Sequence, residues 1–205
     1  MSTTPTGCFA VSSAVGLGNE RQGAAATERR AAPAYTMLAR VLHWTTALLI
    51  IALIPLGIVS ANEWGGPLQD RLYDLHRSMG ALIIPIVVLR LIVRWTDPPL
   101  PLPSDIPALQ RQAAHMTHWA LYALLIMQPL VGWVATSAYP AAIVVFGLFE
   151  LPPVWHADRA LSEQLFSIHE AIGLAIACLV LAHVGAALFH QCVRKDRVLM
   201  RMISG

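Results

Sequence analysis

Four stretches of this 205-residue chain are each apolar over about 20 residues, the length at which a helix crosses the hydrocarbon core of a bilayer. They run roughly over 38–61, 75–95, 115–137 and 166–191. Lipid offers a bare backbone no hydrogen-bonding partner, so each stretch must close its own hydrogen bonds as a helix. The expected fold is therefore an all-α membrane protein, a bundle of four transmembrane helices. Composition agrees, with 56% hydrophobic residues against only 13% charged, where soluble domains carry about 25%. Pro55, Pro85 and Pro129 fall inside three of the spans, where they kink a helix without ending it.

Residues 1–34 are rich in Ala, Gly, Ser and Thr and lack both a basic start and an apolar run, so they read as a disordered N-terminal arm and not a signal peptide. The segment "TDPPLPLPSDIPALQRQ" is a proline-rich connector between the second and third spans. Within 138–165, "AAIVVFGLFELPPVW" is too short to span and is broken by Glu150 and two prolines, which suggests an interfacial segment. Of the 14 Lys and Arg residues, Arg21, Arg29, Arg30, Arg40, Arg90, Arg94, Arg111, Arg194, Lys195, Arg197 and Arg201 fall on one side of the spans. Only Arg71, Arg77 and Arg159 fall on the other, so both termini and the 96–114 connector are expected in the cytoplasm. Cys8, Cys178 and Cys192 show no spacing for an iron–sulfur cluster, a disulfide framework or covalent haem attachment.

Imidazoles are costly in hydrocarbon unless something binds them. On the expected topology His43 lies near the cytoplasmic end of the first span and His76 opens the second at the outer surface. His169 begins the fourth span on the outer side. His183, 14 residues on, lies roughly 21 Å deeper, and His190 lies at the exit. At 100° per residue these three share one helix face. Depth sorts the histidines into an outer tier, His76 and His169, and an inner tier, His43, His183 and His118. Two stacked tiers of paired imidazoles in a four-helix bundle form the arrangement that two bis-histidine b haems require.

A porphyrin beside a helix also needs a small side chain one turn from its ligand. His76 is followed four positions later by Gly80, His169 by Gly173, His43 by Ala47 and His183 by Ala187. His118 is followed by Tyr122, His115 by Trp119 and His190 by Arg194. This pairs His76 with His169 and His43 with His183. Zinc is the other metal to weigh, but two separated pairs leave each site short of its usual ligands. For His115 and His118, an interhelical hydrogen bond or a proton relay competes with a cofactor role. His156 reads as solvated, and the tryptophans as the aromatic belt. A haem-free bundle that uses histidine for protons or metal is the non-enzymatic alternative.

The segments "RVLHW", "HRSMGALIIPIVVLRLIVR", "AAHMTHWALYALLIMQPLVGW", "HEAIGLAIACLVLAHVGAALFH" and "VRKDRVLMRM", in that order from about Tyr35 to Met202, resemble the bacterial cytochrome b561 family of dihaem, quinone-linked membrane cytochromes. The resemblance implies that 35–205 form a four-helix dihaem cytochrome b domain in the bacterial inner membrane, with two haem b groups held by His43, His183, His76 and His169. It implies ubiquinone or another quinone near the inner haem, where His190 is the candidate to bond a quinone carbonyl, assisted by His118, Tyr122 and Arg40. Glu170 and Arg77 are candidate tuners or propionate partners. The expected function is a membrane oxidoreductase that moves single electrons between an outer donor, superoxide being one candidate, and the quinone pool. The first outer loop sets Glu63, Asp70 and Asp74 against Arg71 and Arg77, which does not favour an anion funnel. The alternative is a membrane-anchor subunit, like those of hydrogenases, that passes electrons from a redox partner protein to quinone. Lipid is the surrounding partner, and no nucleic acid is expected.

Overall fold

The apolar runs fix how many helices there are, and capping chemistry outside the hydrocarbon fixes where they start. The computed structural model describes residues 35–62, 65–98, 106–196 and 198–203. The arm over 1–34, with Cys8, Arg21, Arg29 and Arg30, lies outside them, as do Glu63, Trp64, Arg197 and residues 99–105 of the connector. Four long helices follow in order: α1 (Met37–Ala61), α2 (Pro67–Thr96), α3 (Ala108–Ala138) and α4 (Arg159–Phe189). All four are long and apolar enough to cross a membrane, and the chain is a four-helix membrane bundle. A wide π turn, His190–Arg194, extends α4, and a short α5 (Met200–Ile203) follows.

Three helices begin ahead of their apolar runs. Pro67 sits in the first turn of α2, where its missing N–H costs nothing. The Asp158 side chain accepts the Leu161 N–H at 3.0 Å and caps α4. Pro55, Pro85 and Pro129 all lie within helices. The starts of α1 and α5 and the end of α2 meet at one end of the bundle. There Tyr35 N–H donates to the Arg201 carbonyl, Trp44 Nε1–H donates to the Met202 carbonyl at 3.0 Å, and Thr36 Oγ1 bonds Asp97.

α3 packs along α4 and α1 along α2, while α2 and α3 join the two pairs. The buried mid-depth layer draws Ile50 from α1, Ile83 and Val87 from α2, Tyr122 and Leu125 from α3, and Ile176 from α4. Ile83 and Ile176 each follow the outer histidine of their helix by seven residues, so this apolar layer separates the two tiers. The interfacial stretch forms an antiparallel hairpin, β1 (Ile143–Val145) with β2 (Phe149–Leu151), in the register Val144 opposite Glu150. The turn passes through Gly147 at φ 72°, a left-handed conformation open to glycine. It is the one addition to an otherwise helical fold among the described residues.

Ser78, two residues beyond His76, holds that hairpin to α2. Its buried hydroxyl donates to the Val144 carbonyl at 3.2 Å and accepts the Phe146 N–H at 2.9 Å, while Arg77 donates to the Ala142 carbonyl. Ser78→Ala is expected to leave both hairpin groups without a partner and to destabilise the fold by about 1–3 kcal/mol. Early amide exchange at Phe146, set against an unchanged core, is the measurement that checks it.

Candidate functional site

The structure brings His76 near His169 and His43 near His183. The His76 and His169 ring centroids stand 6.1 Å apart with planes inclined at 77°. Those of His43 and His183 stand 6.3 Å apart at 57°. Two metal–nitrogen bonds of about 2 Å, plus about 1 Å from each nitrogen to its ring centre, place the centroids of coaxial axial ligands about 6 Å apart. His118 also reaches the inner tier, but its centroid is only 5.3 Å from that of His183, a spacing of direct ring contact with no iron between.

The helices leave room for a porphyrin. Neither α1 nor α2 packs extensively against α4, and both imidazole pairs reach across that gap. A Cβ added at Gly80 would meet no atom within 4 Å. At Gly173 it would come within 3.2 Å of Gln128 Nε2, so this glycine faces α3. Ala47 and Ala187 are half-buried, as are all four histidines. The donor set, the spacing and the gap all fit haem.

Residues absent from the sequence expectations complete each tier. A Cβ at Gly57 on α1 would lie 2.9 Å from His76 Cε1, and one at Gly132 on α3 would lie 3.0 Å from His169 Cε1. These glycines let the outer imidazoles lie against neighbouring helices. The signal was a proline shortly before a glycine, "PLG" in α1 and "PLVG" in α3, near the outer end of each. His169 Nδ1 lies 3.1 Å from the Gln128 carbonyl, and the Gln128 amide donates to the His169 carbonyl at 2.9 Å. With Nδ1 protonated, this carbonyl leaves Nε2 free for a metal. Arg90 of α2 reaches His43 Nδ1 at 2.8 Å and stacks over Tyr122.

His190 lies in the π turn with its Nδ1 2.5 Å from Asp196 Oδ2. Lys195, at φ 54°, turns the chain so that Asp196 folds back, and the Asp196 N–H donates to the His190 carbonyl. Burial pushes the Asp196 carboxyl up, but hydrogen bonds from His190 and the Val198 N–H outweigh it and hold the group below the usual carboxylate range. No hydrogen bond or ring contact joins His190 to His118 or Tyr122 among the described residues. Tyr122 is buried beneath the Arg90 and Arg94 guanidinium groups, and Arg40 Nη1 is buried without a hydrogen bond. Glu170, His115 and His156 are exposed, and Arg77 pairs with Asp74 at 3.5 Å.

Residues 34–205 match the family described as prokaryotic cytochrome b561. The chain belongs to that family. It is 30% identical over 172 residues to cytochrome b561 homolog 2 of Escherichia coli (strain K12), covering 82% of this chain and 90% of the relative. It is 28% identical over 174 residues to a probable superoxide oxidase CybB of Yersinia pestis, covering 82% and 95%. Cytochrome b562 of Cereibacter sphaeroides is 27% identical over 185 residues, covering 83% and 96%. This cytochrome b561 is thus a multi-pass membrane protein of the b type that binds haem b and acts in electron transfer.

Proposed function

We propose that this cytochrome b561 carries two haem b groups, one ligated by His76 and His169 and one by His43 and His183. It passes single electrons across the bacterial inner membrane from an outer-side donor to quinone. The observation that carries this reading is the pair of imidazole pairs, each at the separation that an intervening iron needs. Haem supplies the one-electron chemistry by alternating between ferric and ferrous iron. The chain supplies ligands, the dry layer of Ile83, Val87 and Ile176 between the tiers, and the fixed separation of the two sites. The excess of Lys and Arg in the segments that flank the spans on the side of His43 supports a cytoplasmic position for that side.

Quinone reduction consumes two electrons and two protons, so the inner end needs a proton donor. His190 fits that role. Asp196 accepts from Nδ1–H, and in the imidazolium form the Nε2–H is then the free donor to a quinone carbonyl. Positioned proton transfer contributes about 10²–10⁴-fold. His190→Ala is expected to slow quinone reduction by about 100-fold with both haems retained, measured by stopped-flow reoxidation of the prereduced protein. Unchanged reoxidation would rule this residue out.

The name of the Yersinia relative supports superoxide as the donor, each ion giving one electron and leaving as dioxygen. The test is a reduced-minus-oxidised spectrum of the purified chain with pyridine haemochrome quantitation, followed by mixing with superoxide. Two b haems per chain, reduced rapidly by superoxide, are expected. Zero haems would overturn the dihaem reading. Two haems inert to superoxide, with a peripheral subunit co-purifying, would assign the donor to a partner protein.

A further inference from the structure

The two tiers are built alike on α4 and differently on α2. His169 and His183 are 14 residues apart on α4, and 14 residues after His76 on α2 stands Arg90. The same spacing carries α2 from the outer tier to the inner one, and there it delivers a guanidinium instead of an imidazole. Arg90 Nη2 lies 2.8 Å from His43 Nδ1, and its guanidinium carbon lies 5.4 Å from the Tyr122 ring centre. Arg94, one turn on, stacks over the same ring at 5.6 Å. No carboxylate pairs with Arg90 among the described residues. The outer tier has its own arginine, but Arg77 is paired with Asp74 and donates to the Ala142 carbonyl.

We propose that Arg90 sets the direction of electron flow by holding the inner haem at a higher potential than the outer one. The proposal rests on the dihaem reading above. Ferrous haem carries one positive charge fewer than ferric, so a cation beside one site favours the reduced state there. Iron on Nε2 normally leaves the proton on Nδ1, and two donors cannot share one bond. With haem bound the guanidinium therefore turns aside from Nδ1, and its charge stays on α2 within the inner tier.

The outer tier is tuned the opposite way. His169 Nδ1 faces the Gln128 carbonyl, and an imidazole donating its proton to a carbonyl is the more basic ligand, which favours ferric iron. One electron thus leaves the outer ferrous iron, which becomes ferric, and reduces the inner ferric iron to ferrous, with no bond or proton exchanged between tiers. The slope runs towards His190 and its quinone.

Potentiometric titration of the purified dihaem protein tests this. Wild type should titrate in two one-electron waves, and His43→Ala should delete the upper one. Arg90→Gln, with both haems retained, should lower the upper wave by at least a tenfold change in the electron's partition between the haems, about 59 mV, and leave the lower wave in place. Arg90→Lys, which keeps the charge, should hold the upper wave near its wild-type position. If Arg90→Gln keeps both haems and both waves, or if His43→Ala deletes the lower wave, the proposal fails while the dihaem reading stands. Should Arg90→Gln lose a haem, Arg90→Lys decides. Two haems with the upper wave intact supports the role of charge, and loss or displacement of that wave overturns it. A wild-type protein without haem would sink the underlying reading instead.

Discussion

His183→Ala is expected to leave one haem per chain against the two proposed for wild type, and to cut electron delivery to quinone to about 1% or less of the wild-type rate. Loss of a residue that merely orients a metal ligand costs about 10–100-fold in affinity, and loss of the ligand itself costs more. On the proposed ligation His183 is the inner ligand contributed by α4, and α4 does not pack extensively against α1, so the substitution leaves no compensating helix contact across the gap. The haem that remains should be the outer one, still reducible by a donor but unable to reach quinone. His118 makes the experiment discriminating, because its ring lies 5.3 Å from that of His183 and is the nearest substitute. His118→Ala should retain two haems. Should His183→Ala keep both haems while His118→Ala loses one, the inner pair would have to be reassigned to His43 and His118. Haemochrome quantitation and the low-temperature absorption band of each variant give the answer.

The four spans and the two tiers are legible in the sequence for the same reason. The bilayer sets the apolar length, and helical rise converts residue number into depth, so the 14 residues between His169 and His183 become a distance before any contact is known. Helix starts are less legible because Pro67 and Asp158 lie in polar sequence, beyond the reach of an apolar window. The hairpin is missed because strands of three residues carry too little alternation to stand out from an interfacial stretch. Arg90 reads as one topology charge among eleven, although it repeats on α2 the spacing that singles out His183 on α4. Gln128 acts on His169 through a backbone carbonyl, which no residue type announces. Asp196 meets His190 only because the π turn and the left-handed Lys195 fold the chain back. For Arg90 and Gln128 the missing information is which helix faces which, a property of packing and not of any one segment.

The two glycines that hold the outer imidazoles give the other large effect, and it should appear only when haem is bound. A Cβ at Gly57 would lie 2.9 Å from His76 Cε1, and one at Gly132 would lie 3.0 Å from His169 Cε1, both tighter than atoms normally approach. In the haem-free chain either ring swings aside, so Gly57→Ala and Gly132→Ala should unfold much like wild type. A haem held by His76 and His169 would remove that freedom, because each imidazole would then be fixed through its Nε2. The Ala variants should then bind the outer haem about 10-fold more weakly, and Gly57→Val, with two further carbons directed at the ring, should lose it altogether at micromolar protein. The inner haem should persist in all of them, since His43 and His183 touch neither glycine. Haem count against added haemin, beside thermal unfolding of the apo chain, separates the effects. Equal destabilisation of apo and holo protein would show that Gly57 and Gly132 serve helix packing alone, and a Gly57→Val protein with two unaltered haems would remove His76 from the outer pair.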